Sequence, residues 1–246
     1  MTLEEMHLPA PSLIIFVSSP GDVVEERIIA KRTIDRLADR FQQLVHLEPV
    51  FWEHEPLLAS ETFQTQIVDP AEADILICIL WSRLGTRLPR EITRPDGSTY
   101  ASGTEYEFER ALEGYRQRGQ PELSVYRKTS QPYVSLEDSR LARAALDQKE
   151  ALDSFLRKWF HDASDALKAA FHPFNDPANF EKILEEHLEK LIERRLEKLG
   201  GKPIARIAAK SLVSRVIDFL QNSGSSESGD RGKDLVGGLD PPKRLG

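Results

Sequence analysis

Six consecutive apolar residues, Ile75-Leu76-Ile77-Cys78-Ile79-Leu80, stand between Asp74 and Trp81. A strand sends alternate side chains to opposite faces. This strand is apolar on both, so the sheet holding it at its centre must be covered by helices on both sides. That constraint predicts a three-layer α/β sandwich with a central parallel sheet and right-handed crossovers. A second apolar run, Leu13-Ile14-Ile15-Phe16-Val17, predicts the first strand over 13–17. It stops at Ser18-Ser19-Pro20-Gly21-Asp22, and a helical pattern follows over about 22–44. Val24, Ile28, Ile29, Leu37, Phe41 and Leu44 form its apolar stripe. Asp22 is expected as the N-cap, with Glu25 completing a capping box.

The alternation continues along the chain. Strands are expected at 46–52, 73–81 and 122–127, with a short fifth one within 166–174. Pro49 puts the 46–52 strand at a sheet edge or a strand start. Helices are expected at 61–72, 105–118 (capped by Thr104), 136–160 and 180–199. A loop of unusual length, 82–103, separates the central strand from its helix; such loops are usually functional or mobile. The expected organisation is an N-terminal extension 1–11, an α/β domain 12–199, a helical segment 200–220 and a disordered tail or linker 221–246.

Composition excludes more than it assigns. The 246 residues carry a formal net charge of -7, which argues against broad binding to nucleic-acid backbone or anionic membrane. The expectation is therefore no nucleic-acid and no membrane partner. No run approaches the roughly 18–20 apolar residues of a membrane span. The start Met1-Thr2-Leu3-Glu4-Glu5 lacks the charge and apolar core of a signal peptide. A single cysteine, Cys78, permits no intramolecular disulfide and fits a reducing, cytoplasmic setting. No P-loop, G-x-G-x-x-G fingerprint or G-x-S-x-G elbow is present. Metal-ligand spacing is missing too, so no metal is expected. His187 stands alone on a charged helix and reads as a solvated surface residue.

Three constellations remain. The turn Ser18-Ser19-Pro20-Gly21-Asp22 opens a helix beyond a strand end, where backbone N–H groups and the helix dipole favour an anion. Its hydroxyls and the Asp22 carboxylate also suit sugar hydroxyls; a plain turn with a cap explains it equally. The second is Ser102-Gly103-Thr104-Glu105-Tyr106-Glu107. Glu105 and Glu107 lie about 200° apart around a helix and cannot share a face. Glu107 borders the core stripe of Phe108, Ala111 and Leu112, so it is the carboxylate expected to be partly buried and tuned. Surface acids at all these positions fit the spacing as well. Third, Trp81-Ser82-Arg83 sits past the central strand, where Trp81 can stack on a ring and Arg83 or Arg87 can hold phosphate. Trp52-Glu53-His54-Glu55 ends the second strand at the same edge.

Together Phe16-Val17-Ser18-Ser19-Pro20-Gly21-Asp22 with Glu26-Arg27, Ala73-Asp74-Ile75 and Ser102-Gly103-Thr104-Glu105-Tyr106-Glu107-Phe108 resemble a bacterial TIR-like family of unknown function. Its members are often N-terminal to STAND NTPases with NACHT-type modules. The resemblance covers roughly residues 12–198. It implies a flavodoxin-like fold and, as in many TIR domains, cleavage of the nicotinamide–ribose bond of NAD. Glu107 followed by Ala111 matches the register of the TIR catalytic glutamate and its small residue four positions on, with Glu105 a second candidate. Substrate contacts would come from Ser18, Ser19, Gly21, Asp22, Trp81, Arg83 and Tyr106. NAD would be a substrate rather than a permanently bound cofactor. The resemblance also implies self-association or a STAND NTPase partner, and a role in bacterial defence or signalling. A nucleoside deoxyribosyltransferase-like enzyme is an alternative of the same fold class, and a non-catalytic assembly module an alternative of another class.

Overall fold

A computed structural model describes residues 10–51, 68–167 and 169–199. Among these residues there are five strands: β1 (Ser12–Ser18), β2 (His46–Val50), β3 (Ile75–Leu80), β4 (Glu122–Lys128) and β5 (His172–Phe174). Four α-helices accompany them: α1 (Val24–Phe41), α2 (Gly103–Arg118), α3 (Ser139–Phe160) and α4 (Pro177–Lys198). The strands form one sheet in the order β2-β1-β3-β4-β5, and every pairing is parallel. This is the strand order of flavodoxin-like folds, with the topological switch point between β1 and β3. All six side chains of the central strand β3 are buried.

The period of two assigns side chains to layers. On one face Phe16, Leu76, Cys78, Leu80 and Val125 join Phe108 and Ala111 of α2 and Leu152, Phe155 and Phe160 of α3. Phe108 meets Phe155 edge-on at 5.1 Å between ring centroids. On the opposite face Tyr126 packs edge-on against Phe180 of α4 at 5.5 Å. Helices α1 and α4 are tied by Arg36 to Glu181 and Glu185 and by Arg40 to Glu185 and Glu189. Each of these pairs is surface-exposed and adds little. Burial dominates instead, at roughly 1.5–3 kcal/mol for each large apolar side chain. At the start of the sheet, the Asp74 carboxylate accepts the Ile14 N–H at 2.9 Å and pairs with buried Arg195 of α4 at 2.5 Å.

Several local expectations are corrected. Asp22 does not cap α1: the N-cap is Val23, with no side-chain cap bond, so no capping box forms with Glu25. The Asp22 carboxylate is drawn across to Ser82 instead. Ser102, not Thr104, caps α2; its Oγ accepts the Glu105 N–H at 3.1 Å. Val24 and Ile28 are more than half exposed, while Ile29, Ala30, Thr33, Ile34, Leu37 and Phe41 face inward. The 61–72 helix is present only as a 3-10 turn at Pro70–Glu72 among the described residues. Residues 61–67, the Trp52–Glu55 cluster, most of the extension 1–11 and the expected segments 200–220 and 221–246 lie outside the described residues. No helix among the described residues is long and apolar enough to cross a membrane.

His187 is not a solvated surface residue. It is half-buried, packs against His172 in a tilted contact at 4.2 Å between ring centroids, and its Nδ1 lies 3.1 Å from Tyr126 Oη. Burial pushes both imidazoles below their ordinary value, and at His187 the neighbouring His172 and Lys190 add to the shift while Glu186 opposes it. The folded state therefore favours neutral rings. Below about pH 6.5 the unfolded chain binds protons first, so stability must fall as pH falls. Thermal melts from pH 7.5 to 5.5 should show a declining melting temperature, and His187→Gln should flatten the decline. An unchanged slope in that variant would exclude the pair as its source.

Candidate functional site at the β1/β3 crevice

Ser18 ends β1 on the same row as Ile14 and Phe16, and it is in register with Cys78 of β3. Its side chain therefore faces α2. There its Oγ donates to Glu107 Oε2 at 2.5 Å, a short hydrogen bond. Ser18 is wholly buried and Glu107 is 4% exposed. The Cys78 thiol lies in the same buried place; burial, the charge of Glu107 opposing ionisation as well, pushes its pKa up. A carboxylate is thus held under the carboxyl end of the sheet, at the switch point where ligands of such folds bind.

The turn that follows is built from polar contacts. Arg27 of α1 donates its Nε–H to Ser19 Oγ and its Nη2–H to the Pro20 carbonyl, each at 2.9 Å. Asp22 accepts the Ser82 N–H at 2.9 Å and the Ser82 hydroxyl at 2.8 Å. Gly21 is exposed. Gly85 has φ +117°, and a Cβ there would lie 3.1 Å from Thr104 Oγ1, 3.6 Å from Ser102 Cβ and 3.7 Å from Pro20 Cβ. Only glycine suits both that backbone and that approach. Ser102 Oγ also donates to the Leu84 carbonyl at 2.9 Å. The 18–22 turn, the 82–86 segment and the start of α2 therefore meet at one edge. Among the described residues, twelve polar or charged residues are buried, and eight cluster in these segments or the facing first turn of α1: Ser18, Ser19, Glu26, Arg27, Ser102, Thr104, Glu105 and Glu107. The other four, Thr33, Glu122, Ser124 and Arg195, lie outside these segments, so two thirds of the buried polar residues gather at this edge.

Glu105 points away from Glu107, as helix geometry requires, but it is not a surface acid: it is 7% exposed. It accepts the Ala101 N–H at 2.6 Å and pairs with Arg94 at 2.9 Å. Arg94 also binds Glu109 at 2.7 Å, donates to the Thr99 carbonyl and lies 4.3 Å over the Tyr100 ring. These pairs hold its guanidinium charged well above the ordinary range. Lys158 of α3 adds contacts to Glu105 and Glu109. The 82–103 loop is thereby pinned to α2, and a bridge between Thr93 and Thr99 turns part of it into a small hairpin. Tyr106 is engaged with Tyr100, edge-on at 5.2 Å. Trp81 turns toward β4: its Nε1–H donates to the Ser130 carbonyl at 2.8 Å, and the Lys128 ammonium sits 4.4 Å over its ring. Arg83 is exposed. Sequence reading held Arg27 and Ser82 inside its motifs without giving them a role, and it missed Arg94. Each is an ordinary residue locally, and only Arg94, a basic residue just before Pro95-Asp96-Gly97, sat where a hairpin arm was legible. Among the described residues, no group of three or more His, Cys, Asp or Glu side chains is placed to hold a metal ion.

A family model described as a domain of unknown function, DUF4062, matches residues 14–189, and the chain belongs to that family. No curated protein matches it. Among solved structures, oxidised flavodoxin 2 from Bacillus cereus is similar over 74% of this chain and 99% of its own, at 15% identity and a TM-score of 0.25.

Removing Arg94 tests the pinned loop. Arg94→Ala leaves Lys158 as the remaining cation for Glu105 and Glu109; breaking a fully buried pair costs about 3–5 kcal/mol, and these pairs are partly exposed. The low end is expected, because Lys158 persists. Arg110→Ala, on the more exposed pair with Asp69, should cost clearly less. Urea denaturation of both variants decides the ranking, and equal costs would mean that Arg94 is not the anchor.

Proposed function

We propose that this domain binds a nucleotide at the β1/β3 crevice and cleaves its N-glycosidic bond, with NAD as the first substrate to test. The observation carrying the reading is the buried Ser18–Glu107 contact at the switch point. A carboxylate kept in a dry, preorganised place stabilises positive charge developing nearby far better than it would in water. In the proposed step the bond between ribose C1′ and the nicotinamide nitrogen breaks, and nicotinamide leaves with the bonding electrons. The oxocarbenium-like ribose is stabilised by Glu107, and water adds at C1′ with loss of a proton, leaving ADP-ribose. Ser18 orients the carboxylate. Ser19, Gly21 and Asp22 form the rim for ribose or phosphate and Arg83 supplies a nearby cation, while Trp81 is turned away toward Ser130. Because Glu107 is buried, substrate entry requires the turn and the 82–86 segment to part.

The TIR-like motif set supports the same reading through the Glu107–Ala111 register. It also suggests coupling to a STAND NTPase and a role in bacterial defence or signalling. A second reading, a non-catalytic assembly module, is favoured by the exposed apolar side chains of Tyr133, Leu136, Leu141 and Leu146.

Nicotinamide release by purified protein, alone and clustered by a fused oligomeriser, separates the two. Glu107→Gln should lose about 10²–10³ in rate, the usual cost of one such electrostatic group. Glu105→Gln should lower the melting temperature more than the rate, because Glu105 serves the Arg94 network. Full activity in Glu107→Gln would remove that residue from the chemistry. Absence of turnover even in the clustered form would leave the assembly reading.

A further inference from the structure

One strand away from the Glu107 crevice, a cavity of about 320 Å³ opens at the carboxyl ends of β3 and β4. It is lined by Trp81, Arg127, Lys128, the 129–132 segment and Lys149 of α3. We infer that this cavity is a binding site for the phosphoryl group of a small anionic ligand. It is independent of any cleavage at Glu107.

Three cations and no acid line the cavity. Their counter-charges stand behind the wall. Lys128 is held at 2.7 Å by Glu26 of α1, and Lys149 by both oxygens of Asp153 one turn along α3. Arg127 is the exception. Its Nη1 is buried and has no hydrogen-bond partner among the described residues. Asp153 and Asp22 reach Arg127 electrostatically, yet burial still lowers its pKa. That atom is enclosed in the wall, but no carboxylate among the described residues pairs with Arg127 within 4 Å, so the part of its guanidinium that lines the cavity keeps its charge for an anion. A planar guanidinium suits phosphate oxygens in particular, through two parallel charge-assisted bonds.

The other walls fit the same ligand. The pair between Lys149 and Asp153 is partly exposed, so the ammonium can leave its carboxylate at little cost. Trp81 is fixed by its bond to the Ser130 carbonyl and supplies an apolar wall beside the cations. The volume is at the lower end of small-ligand sites, enough for a phosphoryl group with a modest attachment. Leu80 and Arg127 are register partners, so the cavity is built on two rigid central strands.

Isothermal titration calorimetry of the intact protein at low salt tests the site with two probes, inorganic pyrophosphate and ADP. Both should bind. Tighter binding of ADP would point to a nucleotide as the source of the phosphoryl group, and equal binding to a free anion. Arg127→Gln should weaken both by about tenfold or more, the usual loss when a bond to a charged group goes. Lys149→Gln, on an exposed helix face, should also weaken both without disturbing the fold. Arg140→Gln, at an exposed position outside the lining, should leave affinity unchanged. Melting curves check folding; if Arg127→Gln is unfolded, Arg127→Lys and Lys149→Gln carry the test. No heat from either probe up to millimolar concentration, or wild-type affinity in folded Arg127 and Lys149 variants, would overturn the assignment.

Discussion

The double-sided burial of β3 is the constraint on which the other elements depend. Six side chains with no exposed face need partner strands on both sides and a helix layer above and below. Parallel neighbours then follow from the crossovers that place those helices. Once strands run parallel, every strand delivers its chain to the same edge. The polar centre arises there because backbone groups leaving a sheet need partners, and side chains supply them.

Two contacts close that edge. Ser18 with Glu107 joins β1 to α2, and Asp22 with Ser82 joins the first turn to the segment after β3. Both bridge elements that are neighbours only because β1 pairs with β3. The same arrangement puts Arg127 beside Leu80 in register and lets α3 bring Lys149 to the cavity mouth. Electrostatics at this edge is therefore a consequence of topology as much as of charge content. A chain with net charge -7 still gathers Arg27, Lys128, Arg127 and Lys149 at one end of its sheet.

The long connection between β3 and α2 shows how a loop becomes structure. Arg94 satisfies Glu105 and Glu109, stacks on Tyr100 and caps a small hairpin. Acids that would otherwise be surface residues are thereby retained in a largely dry place, where they fix the loop against the helix that carries Glu107.

Hydrophobic periodicity determined the strand order along the chain and the central place of β3, Pro49 marked the edge position of β2, and helical spacing put Glu107 beside Phe108 and Ala111 without deciding between burial and the surface. These are properties of nearest neighbours along one element, so spacing expresses them directly. Tertiary structure decided the rest. Whether Asp22 caps its own helix or reaches Ser82, whether His187 meets solvent or His172 and Tyr126, and whether Glu105 is exposed or buried against Arg94 depend on residues dozens of positions away. A polar side chain takes whichever partner the packed chain presents, and the sequence names the donors and acceptors without their pairings. Apolar burial follows a local pattern; the pairing of buried polar groups is settled only when the sheet brings distant segments to a common edge.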